Sequence, residues 1–187
     1  MQLADIQMRL RIALTTTLTN EWGLFTPATG TSHPSERSIA FHLGWNMRPM
    51  IDASWDVDCD YQRSGAALEP SMQFGEGMFR APDLIVHRRG RLGPADNLLL
   101  VALSADFATT RDRTPDIAQV TKVQQRFGYR WAAWVDLQLR EDGPEGRIDP
   151  RWHWSTLEEG PEPDPVEVYT STELRAITDA VKLLYLG

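Results

Sequence analysis

The sequence has a single cysteine, Cys59, so no intrachain disulfide can form and packing alone must hold the fold, as in proteins of a reducing cytosol. Lysine is nearly as scarce. Lys122 and Lys182 are the only two among 19 basic residues, which leaves lysine-dependent chemistry two candidates. The longest apolar run, Leu98–Leu103, is six residues, against the roughly 20 needed to span a bilayer, so no membrane partner is expected. The first twenty residues carry Asp5, Arg9 and Arg11 without a continuous apolar core, so no signal peptide is expected and the location reads as cytoplasmic. Positive charge is in deficit as well. With 19 Lys+Arg against 26 Asp+Glu the net charge is −7, which speaks against a generic polyanion binder.

What is present is globular: 187 residues, 42% hydrophobic, with seven tryptophans. No internal repeat and no second domain is evident. The reading is one domain over residues 1–187, with a core at about 32–139 and a C-terminal extension at 150–187. Leu3, Ile6, Leu10, Ala13 and Leu14 recur at helical spacing, predicting a helix from Met1 to about Leu18 that the following threonines weaken. A second helix is predicted to start behind Ser32 or His33 as cap, with Pro34 in its first turn. Its apolar stripe of Ala40, Leu43 and Met47 begins with Glu36, which puts a carboxylate on the face that should be buried.

Trp55 to Tyr61 alternates, predicting Trp55, Val57, Cys59 and Tyr61 on one strand face, with Asp56, Asp58 and Asp60 on a solvated outer face of an edge strand. On this reading Cys59 is a buried, inert thiol. Two apolar strands, Asp83–His87 and Leu98–Leu103, are joined by a turn with two Gly and one Pro and read as a hairpin. Thr114 and Pro115 open a helix that runs to about Phe127 and is closed by Gly128. Tyr129–Leu139 reads as a strand, Arg151–Trp154 as a short one, and Trp152 and Trp154 as core. Glu158–Pro165 reads as an extended acidic linker, and Thr172–Leu186 as a closing amphipathic helix. The fold class is α/β, a mixed sheet flanked by helices with a small C-terminal strand and helix addition.

Glu36 on a helix, Pro82-Asp83 at the head of a hairpin, Asn97-Leu98-Leu99-Leu100-Val101 on its second strand, and a helix before Gly128-Tyr129 together resemble the PD-(D/E)xK restriction-endonuclease-like superfamily over about Ser32 to Leu139. The resemblance implies a restriction-endonuclease-like fold and metal-assisted phosphodiester hydrolysis. Mg²⁺ would be held by Asp83, with Glu36 in support, because it takes hard oxygen ligands and lowers the pKa of bound water. The second strand departs from the pattern. Where the family has Glu-x-Lys, this chain has Ala102-Leu103-Ser104, which supplies neither carboxylate nor ammonium. Asp106 would return a carboxylate at a displaced position. Lys122 falls on the outer side of its helix, and Gln119 flanks the inner side.

The resemblance thus implies a nuclease-derived binding or scaffolding protein with a degenerate site and no cofactor. The first alternative is a Mg²⁺-dependent nuclease using Glu36, Asp83 and a displaced ligand such as Asp106. The second is a structural protein acting through homo-oligomer or other protein contacts. Arg80, His87, Arg88, Arg89 and Arg91 form the one local basic cluster, readable as a nucleic-acid backbone contact or as a charged hairpin turn. Ser104, His87 and Asp83 share a predicted sheet face, but without a nucleophile elbow they do not read as a hydrolase triad.

Overall fold

The computed structural model describes residues 1–25, 35–61, 82–105, 117–140, 147–163 and 169–170, with Ala176 and Asp179 helical further on. Chain order is α1 (Leu3–Asn20), α2 (Trp22–Phe25), α3 (Glu36–Met47), a 3-10 turn (Arg48–Met50), β1 (Asp56–Cys59), β2 (Leu84–His87), β3 (Asn97–Ser104), α4 (Ile117–Phe127), β4 (Trp131–Arg140), β5 (Arg147–Thr156), β6 (Gly160–Pro163) and β7 (Tyr169–Thr170). The strands form one sheet in the order β1-β2-β3-β4-β5-β6, with β7 also on β5. The β3–β4 pair is parallel and the others antiparallel, so the sheet is mixed, and the fold is α/β as expected.

Two apolar layers sandwich the sheet. Leu84, Val86, Leu99, Val101, Leu103, Ala133, Val135, Trp152 and Trp154 face α1 and α3, whereas Ile85, Leu100, Ala132 and Trp134 face α4 with Val120, Val123 and Phe127. Alternation along the central strands therefore feeds both cores, which is why β3 reads as a continuous apolar run. Helix α3 sits tightly on the sheet at Gly44, where an added Cβ would lie 2.9 Å from Cys59 Sγ and 3.0 Å from Leu84 Cδ1. Helix α4 stops at Gly128, whose φ of 68° only glycine adopts freely, and the Tyr129 N–H returns to the Gln124 carbonyl at 3.0 Å.

Several expectations are corrected. Helix α1 ends at Asn20, two residues past the expected Leu18, and Thr16, Thr17 and Thr19 donate their hydroxyls to the carbonyls four residues back at 2.8–2.9 Å. The cap of α3 is Ser35, whose carbonyl accepts from Ser38 and Ile39. The alternation of β1 breaks at Asp60, which has a left-handed φ of 49°. Tyr61 consequently crosses to the α4 layer and packs edge-on against His87, 4.6 Å between ring centroids. The strand expected over Arg151–Trp154 is ten residues long, because β4 pairs with it from Arg147 to Thr156. Pro150 is tolerated there since it falls between the stretches that pair with β7 and β6. Part of the expected linker is strand: Gly160–Pro163 folds back on β5 through a turn at Gly160, where φ is 85°, and its prolines sit on an edge strand where missing donors cost little. The predicted caps Ser32, His33, Pro34, Thr114 and Pro115 lie outside the described residues, as does most of Thr172–Leu186.

Candidate functional site

The two carboxylates singled out from the sequence arrive from different elements at the same strand. Glu36 opens α3 and is half-buried, and its Oε1 accepts the Ala105 N–H at 3.4 Å. Asp83 immediately precedes β2 and straddles Ala102. Its own N–H donates to the Val101 carbonyl at 3.0 Å, and its Oδ2 accepts the Leu103 N–H at 2.7 Å. Both carboxylates therefore engage the backbone at the carboxyl end of β3. A central strand whose β2 partner pairs only as far as Leu84–Val101 has amides left to satisfy beyond that point, and Asp83 supplies an acceptor.

Ala102 packs into the α4 layer, and Ser104 is buried at 7% exposure. In the parallel register Ala102 lies beside Trp134 and Ser104 beside Asp136. Asp136 was not anticipated. It is 5% exposed and lies in antiparallel register with Arg151, next to the Trp134–His153 pair, whose rings are 5.2 Å apart. Burial lowers the His153 pKa, with Arg151 acting in the same sense and Asp136 opposing. The signal for Asp136 is a carboxylate within the otherwise apolar run Trp131–Leu137. Lys122 is exposed and Gln119 half-buried, as their helical positions predict. Asp106 and Arg80 lie outside the described residues.

Oxygen donors of the kind Mg²⁺ prefers are thus present in Glu36 and Asp83, but the strand between them adds no carboxylate at positions 102 and 104, only the Ser104 hydroxyl. Among the described residues no group of three His, Cys, Asp or Glu side chains stands close enough together to hold a metal ion.

A second polar cluster occupies the opposite end of the hairpin. Asp58 accepts from His87 Nε2 at 2.9 Å and from Arg89 through both guanidinium nitrogens that face it, Nε at 2.8 Å and Nη2 closer still. With His87 and Asp58 side chains only 5% and 14% exposed, this face is not the solvated outer face expected of β1. Burial raises the Asp58 pKa, but hydrogen bonds from Arg89 and His87 outweigh it and hold the carboxyl well below the usual carboxylate range. The other arginines of the turn are also engaged. Arg88 pairs with Asp96 at 3.2 Å and lies 4.4 Å from the Trp55 ring centroid, and Arg91 approaches Asp96 at 3.5 Å. Arg89 is thus paired with Asp56 and Asp58 of β1, and Arg88 and Arg91 share Asp96 of the turn.

Of the three residues grouped on the sequence, His87 is separated from Asp83 and Ser104. His87 pairs with Asn97 at one end of β3 and Ser104 lies at the other, about 23 Å apart along a strand. The acid partner of His87 is Asp58 and not Asp83. Cys59 is exposed as a residue rather than buried, yet its Sγ points inward and donates to the Ala40 carbonyl at 3.2 Å. Burial, reinforced by Asp58, Asp83 and Asp60, pushes its thiol up to about 11. Among the described residues no helix is long and apolar enough to cross a membrane. Comparison with protein-family models, with curated proteins and with solved structures finds no match to this chain.

Proposed function

We propose that this chain is a non-catalytic binding or scaffolding protein on a nuclease-derived, PD-(D/E)xK-like frame whose hydrolytic site is degenerate. The observation that carries the reading is the environment of Asp83. Its carboxylate takes the Leu103 amide at 2.7 Å and so serves the backbone of β3, while the neighbouring positions that would complete a metal and base set are Ala102 and Ser104. Glu36 does the same for Ala105. Both carboxylates then have a structural reason to be present that needs no metal. The partner is a protein or a nucleic acid. The bidentate pairing of Arg89 with Asp58, whose side chain is 14% exposed, weighs against that arginine as a phosphate contact.

One observation favours a second reading, a Mg²⁺-dependent phosphodiesterase with a relocated ligand. Asp136 is a buried carboxylate beside Ser104 on the sheet face that Ala102 also lines.

The test is incubation of labelled single- and double-stranded DNA and RNA with Mg²⁺ or Mn²⁺. Glu36→Ala, Asp83→Ala and Asp136→Asn run alongside, together with calorimetric titration of Mg²⁺. The expected result is no cleavage and no saturable metal binding. Cleavage that is lost in Glu36→Ala and Asp83→Ala overturns the non-catalytic reading, and a further loss in Asp136→Asn identifies the relocated ligand.

A further inference from the structure

Helix α3 turns Ile39, Ala40, Leu43 and Met47 into the core, and its outer side carries a chemistry the core does not use. Phe41 and Trp45, one turn apart, are 56% and 71% exposed, with rings stacked at 6.3 Å between centroids. Arg37 precedes them by one turn and Arg48 follows, both exposed, so the stripe reads arginine, aromatic, aromatic, arginine along one side of the helix. The Arg37 side chain is 80% exposed, and its contact with Asp60 is 3.6 Å long, a surface pair that exchanges partners at little cost. Exposed Phe and Trp flanked by Arg is the composition of an interface hot spot, since a solvent-facing helix surface is ordinarily polar.

Charge selects the occupant. A second copy laid along this stripe brings Arg37 against Arg48 when antiparallel, and each arginine against its own counterpart when parallel. Both arrangements set like charges together. A nucleic acid carries a phosphate at every nucleotide and so sets negative charge against Glu21, 3.4 Å from His42, and Asp60 as well as against the arginines. A protein segment carrying two carboxylates about 16 Å apart, the rise of eleven helical residues, with apolar side chains between them, places negative charge only at the arginines; Arg48 gives one donor to the Ile51 carbonyl at 3.1 Å and keeps others for a carboxylate. We propose that the outer side of α3, through Arg37, Phe41, Trp45 and Arg48, docks an acidic amphipathic helix of a partner protein. Its apolar face packs on Phe41 and Trp45, and its carboxylates pair with the two arginines. This surface is distinct from the sheet site and stands whether or not Glu36 and Asp83 support hydrolysis.

The test is calorimetric titration of the full chain with two synthetic helical peptides of about 18 residues, long enough to present eleven-residue spacing. They share leucines facing Phe41 and Trp45 and differ only in carrying Glu or Lys at the two flanking positions. The Glu peptide is expected to bind at least about tenfold tighter than the Lys peptide. Phe41→Ala and Trp45→Ala should each lose that binding with no drop in thermal stability, because both side chains are exposed. The double variant Arg37→Glu, Arg48→Glu should invert the preference. Equal binding of the two peptides, or no binding, overturns the proposal, as does binding indifferent to Trp45→Ala. An oligo(dT) probe that outcompetes the Glu peptide assigns the stripe to nucleic acid instead, and a concentration-dependent dimer lost in Trp45→Ala assigns it to a second copy.

Discussion

The Asp83 carboxylate accepts the backbone N–H of Leu103 at 2.7 Å, so a residue that resembles a metal ligand on the sequence also completes the hydrogen bonding of a central strand. Leu103 sits in the layer between sheet and helices α1 and α3, where an orphaned amide is expensive. Asp83→Ala is therefore expected to destabilise the fold by about 1–3 kcal/mol, the cost of leaving a buried donor unpaired. Asp83→Asn keeps an oxygen acceptor and should recover most of that loss. Urea denaturation of the three proteins at neutral pH decides it, and equal stability of all three would remove the structural role.

The pairing of Asp58 with Arg89 and His87 sets a pH dependence. Its folded-state pKa lies below the unfolded value of 3.8, so the stabilisation is fully present above the unfolded pKa and is lost as pH falls toward the folded one. Stability should decline on acidification from about pH 5 to pH 2, and Asp58→Asn should flatten that decline. At pH 7 the same substitution should cost about 1.5–3 kcal/mol, the range for hydrogen bonds to a charged group. A slope unchanged in the variant would show that other carboxylates set the acid limb.

Gly44 is a close-approach position. A Cβ there meets Cys59 Sγ at 2.9 Å and Leu84 Cδ1 at 3.0 Å, and Val57 Cγ1 lies just beyond. Gly44→Val should push α3 away from β1 and β2 and destabilise by about 1–3 kcal/mol through overpacking. A neutral or stabilising effect in chemical denaturation would mean that the helix shifts without strain.

Cys59 should behave as a slow thiol despite its exposed position. With its pKa at about 11 against an ordinary 9.0, the thiolate fraction at pH 8 is about a hundredfold lower than for an unperturbed cysteine. Iodoacetamide labelling of the folded protein should be slower by that order, and its rate should keep rising up to about pH 11. Labelling as fast as in the urea-unfolded chain at pH 8 would contradict the inward orientation of Sγ.

Local periodicity was enough to read the elements with a strong pattern: α1, the inward stripe of α3, the β2–β3 hairpin and α4 with its Gly128 stop. In each, side-chain repeat and backbone geometry follow from a few neighbouring residues. The site was half legible for the same reason. Glu36 and Asp83 stand out as carboxylates at apolar or hairpin positions, and the lack of Glu-x-Lys at Ala102 and Ser104 is plain in the string.

What the sequence by itself determined was which residues are available: one cysteine, two lysines, and no carboxylate or ammonium at positions 102 and 104. Which of them meet was decided only by the tertiary structure. His87 turned from Asp83 to Asp58 because Asp58 lies diagonally across the β1–β2 pair on the same sheet face, and Tyr61 joined them because a left-handed Asp60 reversed the strand's faces. The prolines of the expected linker became an edge strand because β5 offered partners. Asp136 came beside Ser104 only through the parallel register of β3 and β4, set by a crossover that no local repeat encodes. Pairing across strands depends on register and on chain segments distant in sequence, and so a pattern confined to a few consecutive residues does not contain it.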